Sequence, residues 1–221
     1  MGRKFLFVDR MKVISFDLDG TLVSTDYVDA VWLERIPEIY ASRYGISFEE
    51  AREYVEKEYL KIGPEALEWY DLDYWIEKFD LNAKSEDILK SCIEKLYLYT
   101  DASEILEKFS KKYELIILSN ASHKFIEIET DFLGIKKYFR NIFSSVSDFK
   151  KTKKDEDVYK KVCKIIGKNS SDVVHVGDNY EFDYVVPSKV GIKAFYLDRK
   201  ENMNGENIIK NLLELEEKIN F

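Results

Sequence analysis

Short apolar runs alternate with amphipathic stretches along the second half of the chain. The runs are only a few residues long and rich in Val, Ile and Leu, which is typical of strands buried on both faces. The stretches between them repeat their apolar residues with the period of an α-helix. This alternation predicts an α/β fold in which helices cover both faces of a parallel sheet. The predicted strands are residues 13–16, 114–120, 142–146, 173–177 and 193–197, and the predicted helices are residues 102–111, 122–133, 156–166, 183–190 and 206–219.

A different pattern fills the interval between the first two predicted strands. From residue 26 to about residue 99 the apolar residues follow helical spacing, and glycine, proline and asparagine separate the helices. Ser47, followed three residues later by Glu50, has the pattern of a helix N-terminal capping box. No β-rich run interrupts this block, so it is predicted to be an all-helical insertion. The predicted domains are therefore an α/β core, residues 1–24 and 100–221, and a helical domain, residues 25–99.

Composition narrows the possible classes of protein. The 221 residues are 45% hydrophobic, which is enough for a packed core, and their formal net charge of −8 argues against nucleic-acid and anionic-membrane partners. No apolar run approaches the roughly 20 residues of a membrane-spanning helix. Cys92 and Cys163 are far apart in the sequence and are interpreted as reduced core thiols, which favours a cytoplasmic location.

The residues before the opening strand allow more than one interpretation. Residues 5–8 are apolar enough for an extra edge strand. Met11 is an alternative start to Met1, because M-K-V-I-S-F-D already makes a complete opening strand. The apolar part of residues 1–10 is too short for a signal peptide.

Two aspartates follow the opening strand directly. Asp17 and Asp19 lie at its carboxyl end, which is the edge where open α/β sheets bind ligands. Gly20 permits a sharp turn that brings backbone N–H groups close to a ligand. Two carboxylates this close stay ionised only if a cation or a proton separates them. The stretch therefore predicts a divalent metal ion, a shifted pKa, or both; taken alone, it also fits an ordinary Asp-Gly turn.

Polar residues also follow the later strands. Ser119 and Asn120 end the second core strand, whereas Asp178 ends the fourth and is followed by Asn179 and Asp183. A lysine cluster precedes the helix that carries Tyr159, and its members are Lys150, Lys151, Lys153 and Lys154. Hard cations prefer oxygen ligands, and phosphate needs hydrogen-bond donors. The set therefore suits the binding of Mg²⁺ and a phosphoryl group.

In this order, the motifs resemble those of the haloacid dehalogenase-like hydrolase superfamily. They are D-L-D-G-T at residues 17–21, S-N at residues 119–120, a lysine ahead of an aromatic-bearing helix, and G-D-N-x-x-x-D at residues 177–183. Together they cover the core, residues 12–23 and 101–198. The resemblance implies a Rossmann-like sheet and the phosphatase branch of the superfamily. It also implies that the helical insertion is a small cap, which closes over the site and excludes water.

The resemblance further implies roles for individual residues. Asp17 matches the nucleophile that forms an aspartyl-phosphate, and Asp19 matches the general acid. Mg²⁺ would be held by the carboxylates of Asp17 and Asp178 and by the backbone carbonyl of Asp19. The other matches are Thr21, Ser119 and Asn120, which hydrogen-bond the phosphoryl oxygens, and the supporting residues Asp183 and Asn179.

The lysine of the third motif is assigned by counting. Members of the family usually have Lys-Pro at this point, with the lysine six residues before an aromatic residue. Counting back from Tyr159 gives Lys153, with Lys154 in the place of the proline. Lys153 is therefore the predicted catalytic lysine, and Lys151 is the alternative.

The predicted function is that of a Mg²⁺-dependent phosphatase acting on a small phosphorylated metabolite, as a monomer or a homodimer. Two alternatives use the same fold: a 2-haloacid dehalogenase, which needs no metal, and a β-phosphoglucomutase-like phosphotransferase. Asp19 and Asp178 together favour the metal-dependent chemistry over the dehalogenase. A non-catalytic binding module is a third alternative, but it predicts damaged motifs, which the sequence does not show.

Histidines and tryptophans are given mainly structural roles. His175 lies within a predicted strand and is expected to be packed and hydrogen-bonded, whereas His123 is a less favoured candidate for a substrate contact. Trp32, Trp69 and Trp75 all lie in the helical insertion and are expected to belong mainly to its core.

Overall fold

The computed structural model describes residues 12–219, and a six-stranded sheet lies at its centre. The strand order is β3-β2-β1-β4-β5-β6, and all neighbouring strands are parallel. The strands are β1 (Val13–Phe16), β2 (Glu114–Ser119), β3 (Phe139–Ser144), β4 (Val173–Gly177), β5 (Lys193–Leu197) and β6 (Ile208–Ile209). The chain order reverses between β1 and β4, which is the topological switch point of a Rossmann-like fold.

The central strands are mostly apolar because they contribute to a core on each face of the sheet, and their few polar residues, such as Ser15 and His175, are buried as well. Ile14 and Phe16 of β1 belong to one apolar cluster, whereas Val13 belongs to the other. In β2, Ile117 packs in the first cluster and Ile116 in the second. Successive side chains of a strand point to opposite faces, so a strand buried on both faces shows no polar alternation. The predicted α/β class is confirmed.

Helices fill residues 26–95, between β1 and the core helix that precedes β2; the structure describes all of these residues, and no strand is found among them. The α-helices are α1 (Asp26–Asp29), α2 (Ile36–Tyr44), α3 (Phe48–Ile62), α4 (Leu72–Lys78) and α5 (Ser85–Ser91). A π-helical turn (Ala30–Arg35) joins α1 to α2, and 3₁₀ turns lie at Leu67–Tyr70 and Ile93–Lys95. The predicted capping box starts α3, because the Ser47 hydroxyl accepts from the backbone N–H of Glu50.

The helices of the second half cover both faces of the sheet. They are α6 (Thr100–Phe109), α7 (His123–Phe132), α8 (Ser145–Phe149), α9 (Glu156–Ile166), α10 (Val186–Lys189) and α11 (Leu215–Lys218). α6 and α7 pack into the first cluster through residues such as Ile105 and Ile126, whereas α9 packs into the second through Val158 and Val162. Within residues 12–219, no helix has both the length and the apolar character needed to cross a membrane.

The boundaries of one predicted strand and the type of one predicted element are wrong. β3 runs from Phe139 to Ser144 rather than over residues 142–146, because Ser144 caps α8 by accepting from the backbone N–H of Ser147. The predicted helix at residues 206–219 is instead β6, a 3₁₀ turn (Leu212–Glu214) and α11. A capping box at Asn211 starts a new helical turn there, so the segment before it is free to extend the sheet.

The domain division stays a prediction. The helices from α1 to the Ile93–Lys95 turn all fall inside the predicted insertion, residues 25–99. The predicted edge strand at residues 5–8 and the alternative start at Met11 lie outside the described residues. Cys92 and Cys163 are both free and buried, as expected of core thiols.

Candidate active site

The carboxyl ends of β1 and β4 meet at the centre of the sheet and bring the first and fourth motifs together. Asp17 follows β1 and Asp178 follows β4, so both lie at the switch point. The backbone N–H of Asp17 donates to the carbonyl of Val176 at 2.9 Å, which ties the two strand ends together. Carboxylate oxygens of Asp17, Asp178 and Asp183 lie within 4.8 Å of one another. This edge of the sheet therefore carries a compact carboxylate cluster.

Lys154 supplies the positive charge of the cluster. Its ammonium Nζ lies 2.5 Å from Asp17 Oδ1 and 2.5 Å from Asp183 Oδ1, and its side chain is only 2% exposed. Burial alone would lower the pKa of Lys154, but the two facing carboxylates raise it above its ordinary value. The lysine is therefore held as a cation between two buried acids.

The structure corrects the assignment of this lysine. Lys153 does not reach the cluster: its side chain is 36% exposed, pairs with Glu65 of the helical insertion, and lies over the ring of Phe182. Lys151 is also at the surface, where it pairs with Asp155 at 2.9 Å. Neighbouring side chains in this non-helical stretch before α9 point in different directions, so a count that is wrong by one residue selects the wrong side of the chain. The residue in the place of the family's proline provides the buried cation.

Asp183 is fixed from several sides. Its Oδ1 contacts Lys154 and lies 3.1 Å from His175 Nε2, while its Oδ2 accepts from the backbone N–H of Asn179 at 3.0 Å. Burial would raise the pKa of Asp183, but Lys154 and His175 lower it to about 2. His175 Nδ1 lies 2.8 Å from the hydroxyl of Ser15, so the histidine is packed and hydrogen-bonded as predicted. Asp183 and Asn179 thus act as supports that hold Lys154 in place.

Two glycines make room for the carboxylates. A Cβ atom added at Gly177 would lie 2.3 Å from Cγ of Asp183, and one added at Gly20 would lie 2.2 Å from Oδ2 of Asp178. Gly20 also has a φ of +77°, in the left-handed region that disfavours a side chain. The glycines of D-L-D-G-T and G-D-N are therefore required by close approach of the carboxylates.

The crowded carboxylates disturb one another's ionisation. Burial raises the pKa of Asp17 well above its ordinary value, although Lys154 opposes the shift. Burial and the charge of Asp178 raise the pKa of Asp19 to about 7. Asp178 is exposed at the edge of the cluster, where partial desolvation and the charge of Asp183 raise its pKa to about 6. One ammonium does not balance four acids, so the cluster gains from a further cation or from protons.

The chemistry of the donors fits a hard divalent cation. The oxygens of Asp183 are already engaged by Lys154, His175 and Asn179. By contrast, among the described residues no other side chain pairs with the Asp178 carboxylate, and no hydrogen bond reaches the backbone carbonyl of Asp19. Asp17, Asp178 and that carbonyl are oxygen donors of the kind that Mg²⁺ prefers.

The predicted phosphoryl-binding groups lie beside the cluster on the same edge. Thr21 is fully buried, and its hydroxyl has no hydrogen-bond partner in the described part of the chain. The hydroxyl oxygen of Ser119 accepts from the backbone N–H of Ala121 at 3.0 Å, and Asn120 Oδ1 accepts from the hydroxyl of Ser145 at 2.6 Å. A buried hydroxyl without a partner is costly, so Thr21 is poised to bond a group that enters the site.

A cavity of about 510 Å³ adjoins the cluster, between the helical insertion and the start of α7. Asp19 and Asn120 line it together with a group of aromatic side chains, so it is continuous with the predicted catalytic residues. We call this space the aromatic cavity. Its lining residues are Asp19, Thr25, Val28, Asp29, Trp32, Leu33, Glu56, Tyr59, Leu60, Trp69, Tyr70, Asn120, Ala121, Ser122 and Phe125.

His123 lies outside the aromatic cavity. Its Nε2 is 2.8 Å from Asp148 Oδ1, and its backbone N–H donates to the hydroxyl of Ser147. These contacts tie the start of α7 to α8, which is a structural role for this histidine.

Glu129 is a buried acid that the sequence motifs do not indicate. It lies on α7, is fully buried, and neither of its carboxylate oxygens has a hydrogen-bond partner within residues 12–219. Burial, and then the charges of Asp19 and Asp17, raise its pKa well above the ordinary value. The protonated form is therefore favoured, and it adds no further negative charge behind the cluster.

Arg199, after β5, was also missed by sequence reasoning, because no motif marks it. Its guanidinium donates to both carboxylate oxygens of Asp101 at 3.0 and 3.1 Å and to the backbone carbonyl of Thr21 at 2.8 Å. It also stacks on the ring of Tyr99 at 3.8 Å. Arg199 therefore anchors the loop that carries Asp19 and Gly20 to the start of α6.

We expect the Arg199→Met variant to lower the free energy of unfolding by about 2 kcal/mol, because charge-assisted hydrogen bonds of a half-buried group are lost. Urea denaturation followed by circular dichroism measures the change. Arg43→Met is the matched control, because Arg43 pairs with Asp80 at 2.5 Å on the surface, where loss of the pair costs less than about 0.5 kcal/mol. Equal losses in both variants would contradict an anchoring role for Arg199.

The fold and the four motifs define a class of protein, and comparison with known proteins gives the same class. A model of the haloacid dehalogenase-like hydrolase family matches residues 11–188, which is most of the chain. The chain therefore belongs to the haloacid dehalogenase-like hydrolases, as the order of its motifs predicted.

Three proteins similar to this chain carry nucleotidase or phosphatase names. The GMP/IMP nucleotidase YrfG of Escherichia coli (strain K12) is 26% identical over 171 residues, which is 75% of this chain and 73% of that protein. The N-acylneuraminate-9-phosphatase of Rattus norvegicus is 22% identical over 205 residues, which is 85% of this chain and 82% of that protein. A similar fold is found in the crystal structure of a HAD phosphatase from Thermococcus onnurineus, with a TM-score of 0.80 and 26% sequence identity. The aligned region covers 94% of this chain and 97% of that chain. These similarities support the phosphoric monoester hydrolase branch of the family.

Proposed function

We propose that this protein is a Mg²⁺-dependent phosphatase that hydrolyses a small phosphorylated metabolite through an aspartyl-phosphate on Asp17. The observation that carries the proposal is the buried contact of Lys154 with Asp17 at the switch point, with the carboxylate of Asp178 beside it. This arrangement holds a carboxylate nucleophile next to a fixed cation and to oxygen donors for a second cation. Phosphoryl transfer depends mainly on such positioning and charge stabilisation.

Asp17 and Asp19 divide the chemical steps between them. A carboxylate oxygen of Asp17 attacks phosphorus, and the bond from phosphorus to the leaving oxygen breaks. Asp19 gives its proton to that oxygen and then takes a proton from a water molecule that attacks phosphorus. The bond between phosphorus and the Asp17 oxygen breaks in this second step, which releases inorganic phosphate and the free Asp17 carboxylate. Burial raises the pKa of Asp19 to about 7, which is suited to both directions of transfer.

The surrounding groups hold the charge of the phosphoryl group. Lys154 favours the ionised form of Asp17 and orients its carboxylate, while Thr21, Ser119 and Asn120 bond the phosphoryl oxygens. Bound Mg²⁺, held by Asp17, Asp178 and the carbonyl of Asp19, would offset the negative charge that gathers when substrate enters. No step requires a side chain that the structure places away from this edge.

The helical insertion, residues 25–99, is proposed to act as a cap over the site. Within residues 12–219, two ion pairs join it to the core: Lys153 with Glu65, and Lys124 with Asp73. All four side chains are at least partly exposed, so each pair contributes little free energy and can break when the cap moves. A closed cap would exclude water from the reaction.

Hydrolysis of p-nitrophenyl phosphate with and without Mg²⁺ tests the proposal. We expect phosphate release that EDTA abolishes, and a kcat/KM at least about 100-fold lower in the Asp178→Asn variant, which loses one oxygen donor. Asp157→Asn on the surface of α9 is the matched control and is expected to behave as wild type. In the wild type, Mg²⁺ at 100 times its dissociation constant should add about 2.7 kcal/mol of stability, seen as a higher melting temperature.

Chloride release from 2-chloropropionate distinguishes the dehalogenase alternative. Metal-independent halide release without phosphate release would overturn the proposal, because Asp17 would then attack carbon. Phosphate release that persists in EDTA would contradict the metal assignment alone. The nucleotidase and phosphatase names of the similar proteins favour the phosphatase outcome.

A further inference from the structure

The aromatic cavity is the space that the leaving group of the substrate must enter, if the proposed function holds. It is lined by Asp19, the proposed general acid, and by Asn120, a proposed phosphoryl-binding residue. A phosphate ester with phosphorus at Asp17 therefore directs the rest of the molecule into it. Its volume of about 510 Å³ is in the range of sites for small organic ligands.

Aromatic rings form one wall of this cavity. Trp32 stacks on Phe125 with ring centroids 5.6 Å apart and an interplanar angle of 20°, and it meets Tyr59 edge-on at 5.9 Å. Trp69 continues the wall from Tyr59, with centroids 6.2 Å apart. Extended flat π-surfaces bind planar rings in preference to the puckered, hydroxyl-rich surface of a sugar. Trp75 is fully buried, as expected of a core residue, and Trp32 and Trp69 also pack against the core while they line this space.

The charged residues of the lining are acidic. Asp29 and Glu56 line the cavity, and no lysine or arginine is among its described lining residues. Glu56 is partly balanced by Arg52, whose Nε lies 2.7 Å from it, but the carboxylate of Asp29 has no hydrogen bond or ion pair with any residue in the described part of the chain. An anionic group would be repelled here, whereas N–H donors would find an acceptor.

The remaining polar lining suits a sugar between the ring and the phosphate. Thr25 and Ser122 are the hydroxyl-bearing residues of the lining, and they lie in it together with Asn120, which is assigned to the phosphoryl group. We propose that the substrates are nucleoside 5′-monophosphates, with the base against the aromatic wall and its N–H donors toward Asp29. The inference rests on the proposed function, but it concerns the cavity rather than the catalytic groups.

Matched phosphate esters test this inference. Guanosine 5′-monophosphate and ribose 5-phosphate differ by the base, and we expect kcat/KM to be higher for the nucleotide by about tenfold or more. N-acetylneuraminate 9-phosphate, whose sugar carries a carboxylate, is expected to be the poorest of the three. Ribose 5-phosphate or N-acetylneuraminate 9-phosphate turned over as well as the nucleotide would overturn the inference, while phosphatase activity itself would stand.

Two variants locate the effect in the cavity. Trp69→Ala is expected to reduce the ratio of kcat/KM between guanosine 5′-monophosphate and ribose 5-phosphate by about tenfold. Tyr54→Ala is its control, because Tyr54 is an exposed aromatic residue that does not line the cavity, and the ratio should not change. Asp29→Asn, at an exposed position, should lower the preference for the nucleotide over N-acetylneuraminate 9-phosphate. Unchanged ratios in both cavity variants would contradict the assignment.

Calorimetric titration with guanosine separates the two proposals, because it needs no catalysis. We expect guanosine to bind the full chain, and to bind Trp69→Ala about tenfold more weakly than Tyr54→Ala. Guanosine binding without any phosphate release from p-nitrophenyl phosphate would support the cavity assignment and contradict the phosphatase. Phosphate release without guanosine binding would support the phosphatase and contradict the cavity assignment.

Discussion

The Asp17→Asn variant is expected to lose phosphatase activity by at least about 10⁴-fold in kcat/KM. The asparagine keeps an acceptor oxygen at the position of Asp17 Oδ1, which lies 2.5 Å from Lys154 Nζ, so the geometry of the site should survive. An amide oxygen, however, is a far weaker nucleophile than a carboxylate and forms no stable phosphorylated intermediate. Initial rates on p-nitrophenyl phosphate at saturating Mg²⁺ measure the loss.

The same variant is expected to be at least as stable as the wild type in metal-free buffer. Burial raises the pKa of Asp17 well above its ordinary value. A carboxyl group whose pKa is raised in the folded chain lowers the free energy of unfolding. This loss is absent at low pH, where the group is protonated in both the folded and the unfolded chain, and it grows as the pH rises past the ordinary pKa. A neutral amide avoids this loss at pH 7. Melting temperatures in EDTA measure the difference, and a folded variant with full activity would exclude Asp17 as the nucleophile.

These two expectations together express a conflict between stability and activity at the carboxylate cluster. Asp17 and Asp183 contact one buried ammonium, Asp19 and Asp178 add negative charge beside them, and the pKa values of Asp17, Asp19 and Asp178 are raised. Such crowding is costly to a folded chain, yet it creates the oxygen donors that a divalent cation and a phosphoryl group require. The cluster is therefore better explained by ligand binding than by its contribution to stability.

The sequence predicts the central strands well because their pattern has one physical cause. β1, β2 and β4 are buried along their whole length, and short, predominantly apolar runs follow directly from that; β5 shows a similar run although Lys193 at its start is exposed. β3 is an edge strand with partly exposed residues such as Arg140, so its apolar signal is weak and its start was placed too late. In the C-terminal segment, the spacing of Ile208, Ile209 and Leu212 fits a helix, but contact with β5 makes the isoleucines a strand.

The candidate site is predictable where its residues follow strands. Asp17, Ser119 and Asp178 each come at or directly after the carboxyl end of a strand, so topology alone brings them together. Arg199 and Glu129 are brought to the same region by tertiary packing, and no local sequence pattern marks either residue. Lys154 also comes from a loop, where the direction of a side chain depends on the path of the backbone, and the substitution of the proline removes the marker for that path.

Substitution of Lys154 is expected to reduce phosphatase activity strongly, whereas the same substitution of its neighbour Lys153 is not. We expect Lys154→Met to lower kcat/KM by about 10³-fold, because the ammonium that holds and balances Asp17 is lost. Lys153→Met should remain within about twofold of the wild type, because its ion pair with Glu65 is at the surface. The two variants make the same chemical change one residue apart, so each serves as the control of the other in the p-nitrophenyl phosphate assay.

Stability should separate the same two variants. Lys154→Met leaves Asp17 and Asp183 buried without their counter-charge, which costs about 3–5 kcal/mol, whereas loss of the exposed pair costs at most about 1 kcal/mol. Urea denaturation at neutral pH measures both losses. Should Lys154→Met fail to fold, Lys154→Arg retains the charge and is expected to fold with reduced activity, because a planar guanidinium does not reproduce a point contact with both carboxylates. A folded Lys154→Met enzyme with wild-type kcat/KM would show that the buried ammonium is dispensable. Inactivation by Lys153→Met would instead identify the exposed Lys153 as the catalytic lysine.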